Sequence, residues 1–189
     1  MKKILYVVTE DWYFWSHRLA LAHAARKEGY EVYVVTKSGE FAVAITAEGF
    51  RLYPLAINRS VATLAAEFLT LFRIFRAYRE IKPDIVHHIA LKPVVMGSVA
   101  AWFARVPVVV NSYTGLGFLF ISESTFSRLC RRFLLPLLSC FLKGSSVNNI
   151  VQNTSDRDLL IRLGLVLPDH TSLIRGSGVD MRIFNYTHE

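Results

Sequence analysis

The sequence predicts an α/β protein, a doubly wound and mainly parallel sheet of about seven strands with helices on both faces. Two observations predict it. Short β-branched apolar runs alternate with longer segments of helical character along the whole chain. Several of the short runs are apolar throughout, as strands covered on both faces are. A third observation bounds the domain count: 189 residues carry no internal repeat, low-complexity segment or linker, so one domain with a real core is expected.

The strand segments are Ile4–Val8, Glu31–Thr36, Arg51–Ala56, Ile85–Ile89, Val108–Asn111, Asn149–Gln152 and Ser172–Ile174. The helical segments between them are Ser16–Glu28, Glu40–Glu48, Thr63–Ile81, Val94–Ala104, Thr125–Leu142 and Ser155–Leu163. Ser16 is placed to N-cap the first long helix and Gly29 to follow its end. Pro83 and Pro107 each stand just before a strand. Thr154-Ser155-Asp156 offers caps for the last helix, which Gly164 ends.

Hydrophobic residues at 52% and charged residues at 20% exclude a disordered chain. A net charge of +7 suits anionic partners such as phosphate or an anionic membrane surface. No nucleic-acid recognition motif accompanies that charge, so nucleic acid is not an expected partner. The opening Met1-Lys2-Lys3-Ile4-Leu5-Tyr6-Val7-Val8 mimics a signal peptide only briefly before Thr9-Glu10-Asp11 interrupts it, and it reads as a first strand. The longest uncharged stretch, Val106 to Ser122, is too polar to span a bilayer. Cys130 and Cys140 fall in one helical segment, about 15 Å apart along its axis and beyond disulfide reach. A cytoplasmic, reduced protein is the expectation.

Ligands of a doubly wound sheet bind outside the carboxyl ends of the strands. That rule selects four segments, Thr9–Ser16, Thr36–Gly39, His87–Pro93 and Asn111–Ser122, and the unusual residues lie in them. The first holds four consecutive aromatics, Trp12-Tyr13-Phe14-Trp15, and leads into His17 and Arg18. Aromatic faces stack sugars or accept lipid, and the start of a helix favours an anion. The same residues also serve packing, as Trp12, Phe14 and Trp15 would. No G-x-G-x-x-G follows the first strand, which disfavours a dinucleotide enzyme.

His87 and His88 end the fourth strand, and alternation puts them on opposite sheet faces. Two adjacent histidines without nearby Cys or carboxylate make a poor metal site, so no metal is expected. Lys92 follows in position to meet a phosphate. Beyond the fifth strand, Tyr113 and Thr114 supply hydroxyls, Gly115 and Gly117 permit close backbone approach, and Phe118, Leu119, Phe120 and Ile121 suit a lipid-borne ligand. Helices 63–81 and 125–143 combine apolar residues with Arg73, Arg76 and Arg79, and with Arg128, Arg131, Arg132 and Lys143. Helices of this kind lie on anionic bilayers, or pack as core helices with one basic edge.

In chain order, Ser16-His17-Arg18-Leu19-Ala20-Leu21-Ala22, Pro83-Asp84-Ile85-Val86-His87-His88, Leu91-Lys92-Pro93, Thr114-Gly115-Leu116-Gly117-Phe118 and Gln152-Asn153 resemble the acceptor domain of capsule-type family 4 glycosyltransferases. Gly176-Ser177-Gly178-Val179-Asp180 resembles the hinge at which those two-domain GT-B enzymes pass into their donor domain. The resemblance implies an N-terminal, Rossmann-like acceptor domain over residues 1–175 and the start of a hinge over 176–189. It implies a retaining transfer of a hexose or N-acetylhexosamine from a nucleotide-sugar co-substrate, often UDP-linked, to a lipid-diphosphate-linked (undecaprenyl) glycan. No cofactor or metal is implied. Donor contacts would come from a C-terminal domain or partner chain, leaving these residues inactive alone on the inner face of the membrane.

On this resemblance Trp12, Trp15, His17, Arg18, Lys92, Tyr113, Thr114, Gly115 and Gly117 are expected around acceptor and phosphate, with Gly176, Ser177 and Gly178 near the donor. The catalytic group is unassigned, with His17 and His88 as candidates. Two departures from the family pattern stand out. Tyr13-Phe14-Trp15 fills the stretch where many relatives carry a Gly-Gly pair, and Ile89 occupies the slot of a second histidine. The alternatives are a non-catalytic, membrane-docked acceptor-binding subunit and a different GT-B enzyme such as a nucleotide-sugar epimerase.

Overall fold

The computed structural model describes residues 1–57, 63–116, 135–176 and 178. Seven strands form one sheet: β1 (Lys3–Glu10), β2 (Glu31–Lys37), β3 (Arg51–Pro54), β4 (Ile85–Ile89), β5 (Val108–Tyr113), β6 (Val147–Val151) and β7 (Thr171–Leu173). Their order is β3-β2-β1-β4-β5-β6-β7, and every neighbouring pair is parallel. The predicted doubly wound parallel sheet is the observed one. The chain leaves β1 in one direction and restarts from β4 in the other, so the switch point lies between β1 and β4.

The helices are α1 (Asp11–Lys27), α2 (Ala42–Ala47), α3 (Leu64–Ile81), α4 (Leu91–Ala104), α5 (residues 135–142) and α6 (Thr154–Arg162), with a 3-10 turn at Pro168–His170 before β7. One face of the sheet is covered around Tyr6, Val8, Phe14, Ala22, Val34 and Ile45, from β1, β2, α1 and α2. The other face is covered around Leu5, Val7, Ile74, Ala77, Tyr78, Val86 and Ala101, from α3 and α4. A third cluster joins Val94, Tyr113, Leu138, Val151 and Leu160 beneath β5 and β6. Burial of these side chains, at roughly 25 cal/mol per Å² of apolar surface, drives the three layers together.

The helix starts differ from the sequence expectation. Ser16 does not cap α1, which begins five residues earlier directly off β1. The reason is Asp11, which is 4% exposed. Its Oδ1 accepts the Trp12 N–H at 2.8 Å, and its Oδ2 accepts the N–H groups of Gly39 and Phe41 at 2.8 and 3.0 Å. One carboxylate thus anchors the α1 start and the β2–α2 connection together. Gly39 is required there, because a Cβ would fall 2.8 Å from Asp11 Oδ1. Ser16, already inside the helix, donates to the Trp12 carbonyl at 2.8 Å. The aromatic segment expected as a loop is therefore helical.

Similarly, α4 starts at Leu91 rather than Val94, from Ala90 at φ 78°. Asn153, not Thr154-Ser155-Asp156, caps α6, accepting the Asp156 N–H at 2.7 Å. Thr63 caps α3 by accepting the Ala66 N–H at 3.4 Å. The expected helix 125–142 is described only from residue 135, and Gly117, Phe118–Ile121 and Cys130 lie outside the described residues. Cys140 is exposed with a free thiol. Among the described residues no helix is long and apolar enough to cross a membrane.

Candidate functional site: the carboxyl edge at the β1–β4 switch

The parallel strands bring three chain segments to one edge: the start of α1, the β4–α4 junction and the end of β5. Trp12 stands in the first turn of α1, 45% exposed. Tyr13 stacks flat on His17, with centroids 4.3 Å apart and planes 4° apart. His17 is exposed, with Nδ1 2.6 Å from Ser16 Oγ. Lys92 lies in the first turn of α4, and its Nζ bonds Glu67 Oε1 of α3 at 2.8 Å. Thr114 is half-buried and Gly115 is exposed at φ 120°, a conformation suited to glycine.

Trp15, Arg18 and Tyr113 are buried or packed, and Gly176 and Gly178 follow β7. Trp15 packs on Phe41, centroids 5.7 Å apart, and belongs to the α1–α2 contact. Arg18 is buried about two turns into α1. Burial pulls its guanidinium below the ordinary value, opposed by the nearby Tyr13 and Tyr6 hydroxyls. Tyr113 is 1% exposed, its ring in the core cluster beneath β5. Burial raises its phenol above the ordinary value, so it is held neutral. Gly176 and Gly178 are exposed at φ 74° and 72°, and Ser177 lies outside the described residues.

His87 and His88 take opposite faces. His87 is 5% exposed, tilted against Tyr6 at 5.5 Å, with Nε2 2.7 Å from Ser112 Oγ. Burial pushes it down to about 3, helped by Arg18 and then His88. His88 is fully buried, its Nδ1 2.8 Å from Asn111 Oδ1 and its Nε2 2.8 Å from Tyr78 Oη. Because Oδ1 of an amide only accepts, His88 donates from Nδ1, and Nε2 accepts the Tyr78 hydroxyl. Burial pushes His88 down to about 4, partly offset by the bond to Asn111. Its ring also fills the space where Gly97 of α4 lacks a Cβ.

The polar chain continues across the sheet. Asn111 Oδ1 also accepts from Ser98 Oγ at 3.2 Å, and its Nδ2 donates to Asn149 Oδ1 at 3.5 Å. Asn149 Nδ2 donates in turn to the His170 carbonyl at 3.5 Å. His88 is thus a neutral, doubly bonded strut between α3, α4 and β5, remote from solvent. Asp11, Asn111 and Gly97 are not among the residues that sequence selects, and Tyr13 enters there only as part of the aromatic run. An acidic residue directly after an apolar strand was the available signal for Asp11. For Gly97 and Asn111 the signal is a tertiary contact that no local pattern contains.

The described residues contain no cluster able to hold a metal ion. A cavity of about 290 Å³ between α4 and α5, beside Trp102, Arg105 and Phe141, opens at the opposite, amino edge of the sheet. What the carboxyl edge offers is an aromatic platform, a half-buried lysine–glutamate pair and a bare glycine backbone.

A family model for glycosyl transferase 4-like proteins matches residues 3–151. The chain belongs to the glycosyl transferase 4-like family. The match covers β1 through β6 and so includes all three segments of the carboxyl edge. No curated protein sequence gives a significant match. Solved structures show the same fold. A glycosyltransferase from Rickettsia africae is 13% identical with a TM-score of 0.69, over 97% of this chain and 45% of that one. The Anabaena protein HepE, in complex with UDP and glucose, is 18% identical with a TM-score of 0.63, over 97% and 46%. A UDP-N-acetylglucosamine 2-epimerase is 17% identical with a TM-score of 0.60, over 91% and 47%. This glycosyl transferase 4-like chain spans about half the length of each, and its sheet is one Rossmann-like half of their GT-B fold.

Proposed function

We propose that this chain is the acceptor half of a retaining glycosyltransferase in bacterial surface-polysaccharide synthesis. It would act with a donor half, moving a hexose or N-acetylhexosamine from a UDP-sugar to a lipid-diphosphate-linked glycan at the inner face of the membrane. The observation that carries the reading is exposed Trp12 beside the Tyr13–His17 stack, at the start of α1 by the β1–β4 switch point and inside the stretch that matches the family. In open α/β sheets that crevice is where ligands bind.

In this reading Trp12 and the Tyr13–His17 stack present faces to the acceptor sugars, and Lys92 with the Thr114–Gly115 backbone borders the diphosphate. The bond from the donor anomeric carbon to phosphate breaks as the bond to the acceptor oxygen forms. The acceptor proton passes to the departing phosphate oxygen, so this half need not supply a base. Its contribution is positioning, which fits an edge built from buried, neutral struts rather than a poised acid. His88, enclosed and bonded at both nitrogens, is a structural strut; His17 is the exposed histidine at the start of α1.

The epimerase neighbour, with a TM-score near that of HepE, favours one alternative: sugar-nucleotide chemistry without an acceptor. The test is binding of a water-soluble glycan diphosphate carrying a short prenyl chain. Trp12→Ala should weaken it about tenfold, near 1.4 kcal/mol for one aromatic face, with the fold unchanged. Absence of binding by the unaltered chain, or indifference to Trp12→Ala and Tyr13→Ala together, would sink the proposal.

A further inference from the structure

We infer that the N-terminal half of α3 is a membrane-docking tip that enters an anionic bilayer end-on, beside the crevice. All four buried residues of α3, Ile74, Ala77, Tyr78 and Ile81, lie in its second half. The first half starts at the carboxyl edge of the sheet, with Leu71 packed inward against the core. There Leu64, Phe68, Leu69 and Phe72 are 78, 69, 48 and 58% exposed. At 100° per residue they share one outward arc, spread over about 12 Å of helix axis. Four large apolar side chains exposed together on one side of a helix mark an interaction surface rather than scattered surface residues.

The same outward side then turns basic. Arg73, Arg76 and Arg79 are exposed on the turns below the tip. The two carboxylates of α3 are engaged: Glu67 with Lys92 at 2.8 Å, and Glu80 with Arg76 at 2.7 Å and the Tyr53 hydroxyl at 3.0 Å. Arg73 and Arg76 also line a depression of about 240 Å³ with Tyr53, Pro54, Leu55 and Ala56, at the end of β3. An apolar tip above a collar of guanidinium groups matches acyl chains above a layer of lipid phosphates. The axial separation decides the orientation. A helix lying flat carries its basic residues along the whole flank of its apolar stripe, whereas here they succeed one another along the axis.

The surface assignment stands on α3 itself; its meaning for the acceptor rests on the proposed function. The Lys92–Glu67 pair ties the tip to the α4 start, so docking brings the crevice edge to the bilayer surface. The test sediments the 189-residue chain with phosphatidylcholine vesicles, with and without phosphatidylglycerol. The chain should bind the anionic vesicles and lose binding at high salt. F68S/F72S should reduce binding at least about tenfold, and R73Q/R76Q should remove the preference for anionic lipid. Both pairs are exposed, so circular dichroism should be unchanged. Orientation is read with an environment-sensitive dye on Phe68→Cys or Arg79→Cys, in a C130S/C140S background. A blue shift at 68 and little at 79 is the expected result; equal shifts overturn end-on entry. Binding unaffected by F68S/F72S, or a self-association that the same pair abolishes, overturns the membrane assignment. The vesicles contain neither glycan nor nucleotide, so failure here is separable from failure of the acceptor proposal.

Discussion

Acidification should destabilise this fold steeply, and His88 should carry about half of the histidine-dependent effect. The folded pKa values of His87 and His88 are about 3 and about 4, against an ordinary value of 6.5. Because both are depressed, the unfolded chain binds more protons than the folded one between those limits. The stabilisation they support is complete above pH 6.5 and is lost as pH falls toward the folded values. Between pH 7 and pH 5 each histidine should cost about 2 kcal/mol, and the pair about 4 kcal/mol. The structural cause is definite for His88. A second proton on Nε2 would meet the hydroxyl hydrogen that Tyr78 donates, inside a fully buried pocket. Urea titrations at pH 7 and pH 5, on the unaltered chain and on His88→Gln, measure it. The variant should start less stable at pH 7 but lose about 2 kcal/mol less on acidification. Carboxylates titrating in the same range are common to both proteins and cancel in the comparison. Equal pH dependence in the two proteins would refute the assignment of His88 as a buried neutral strut.

Three further outcomes follow from the packing and the crevice. Gly97→Ala pushes a methyl into the His88 ring and should cost about 1–3 kcal/mol of stability, read by thermal or urea unfolding. Asp11→Ala removes the acceptor of three backbone N–H groups and should cost about 2–4 kcal/mol, with faster amide exchange at Gly39 and Phe41. Lys92→Met removes the Lys92–Glu67 ion pair; it should lower stability by up to about 1 kcal/mol while weakening diphosphate binding more than it weakens glycan binding, read by titration with each ligand fragment.

The alternation of apolar runs made the sheet legible, because strands covered on both faces leave a pattern that survives without coordinates. Element starts were less legible. Asp11 begins α1 by accepting amides from residues 39 and 41, a long-range contact that overrides the local capping signal of Ser16. The aromatic run looked like a loop for want of a visible cap, and the structure shows it as the exposed and buried sides of one helix. Trp12 and Trp15 read alike in sequence yet differ in setting, Trp12 open at the edge and Trp15 against Phe41. Adjacent histidines implied opposite faces, but whether either met solvent depended on α3 and on the missing Cβ of Gly97. Phe68 and Phe72 lie within a turn of Leu71 and Phe75 on α3, yet the first pair is exposed and the second packs on the core, a difference set by which side of the helix meets the sheet.

The central claim is that these residues hold an acceptor site and leave the nucleotide to the other half of the enzyme. Calorimetric titration of the chain with a soluble lipid-diphosphate glycan analogue, and in parallel with UDP and UDP-sugars, tests it directly. Saturable binding of the analogue with no measurable heat from UDP or its sugars is the predicted result. Micromolar binding of UDP or a UDP-sugar, with none of the acceptor analogue, would contradict the account.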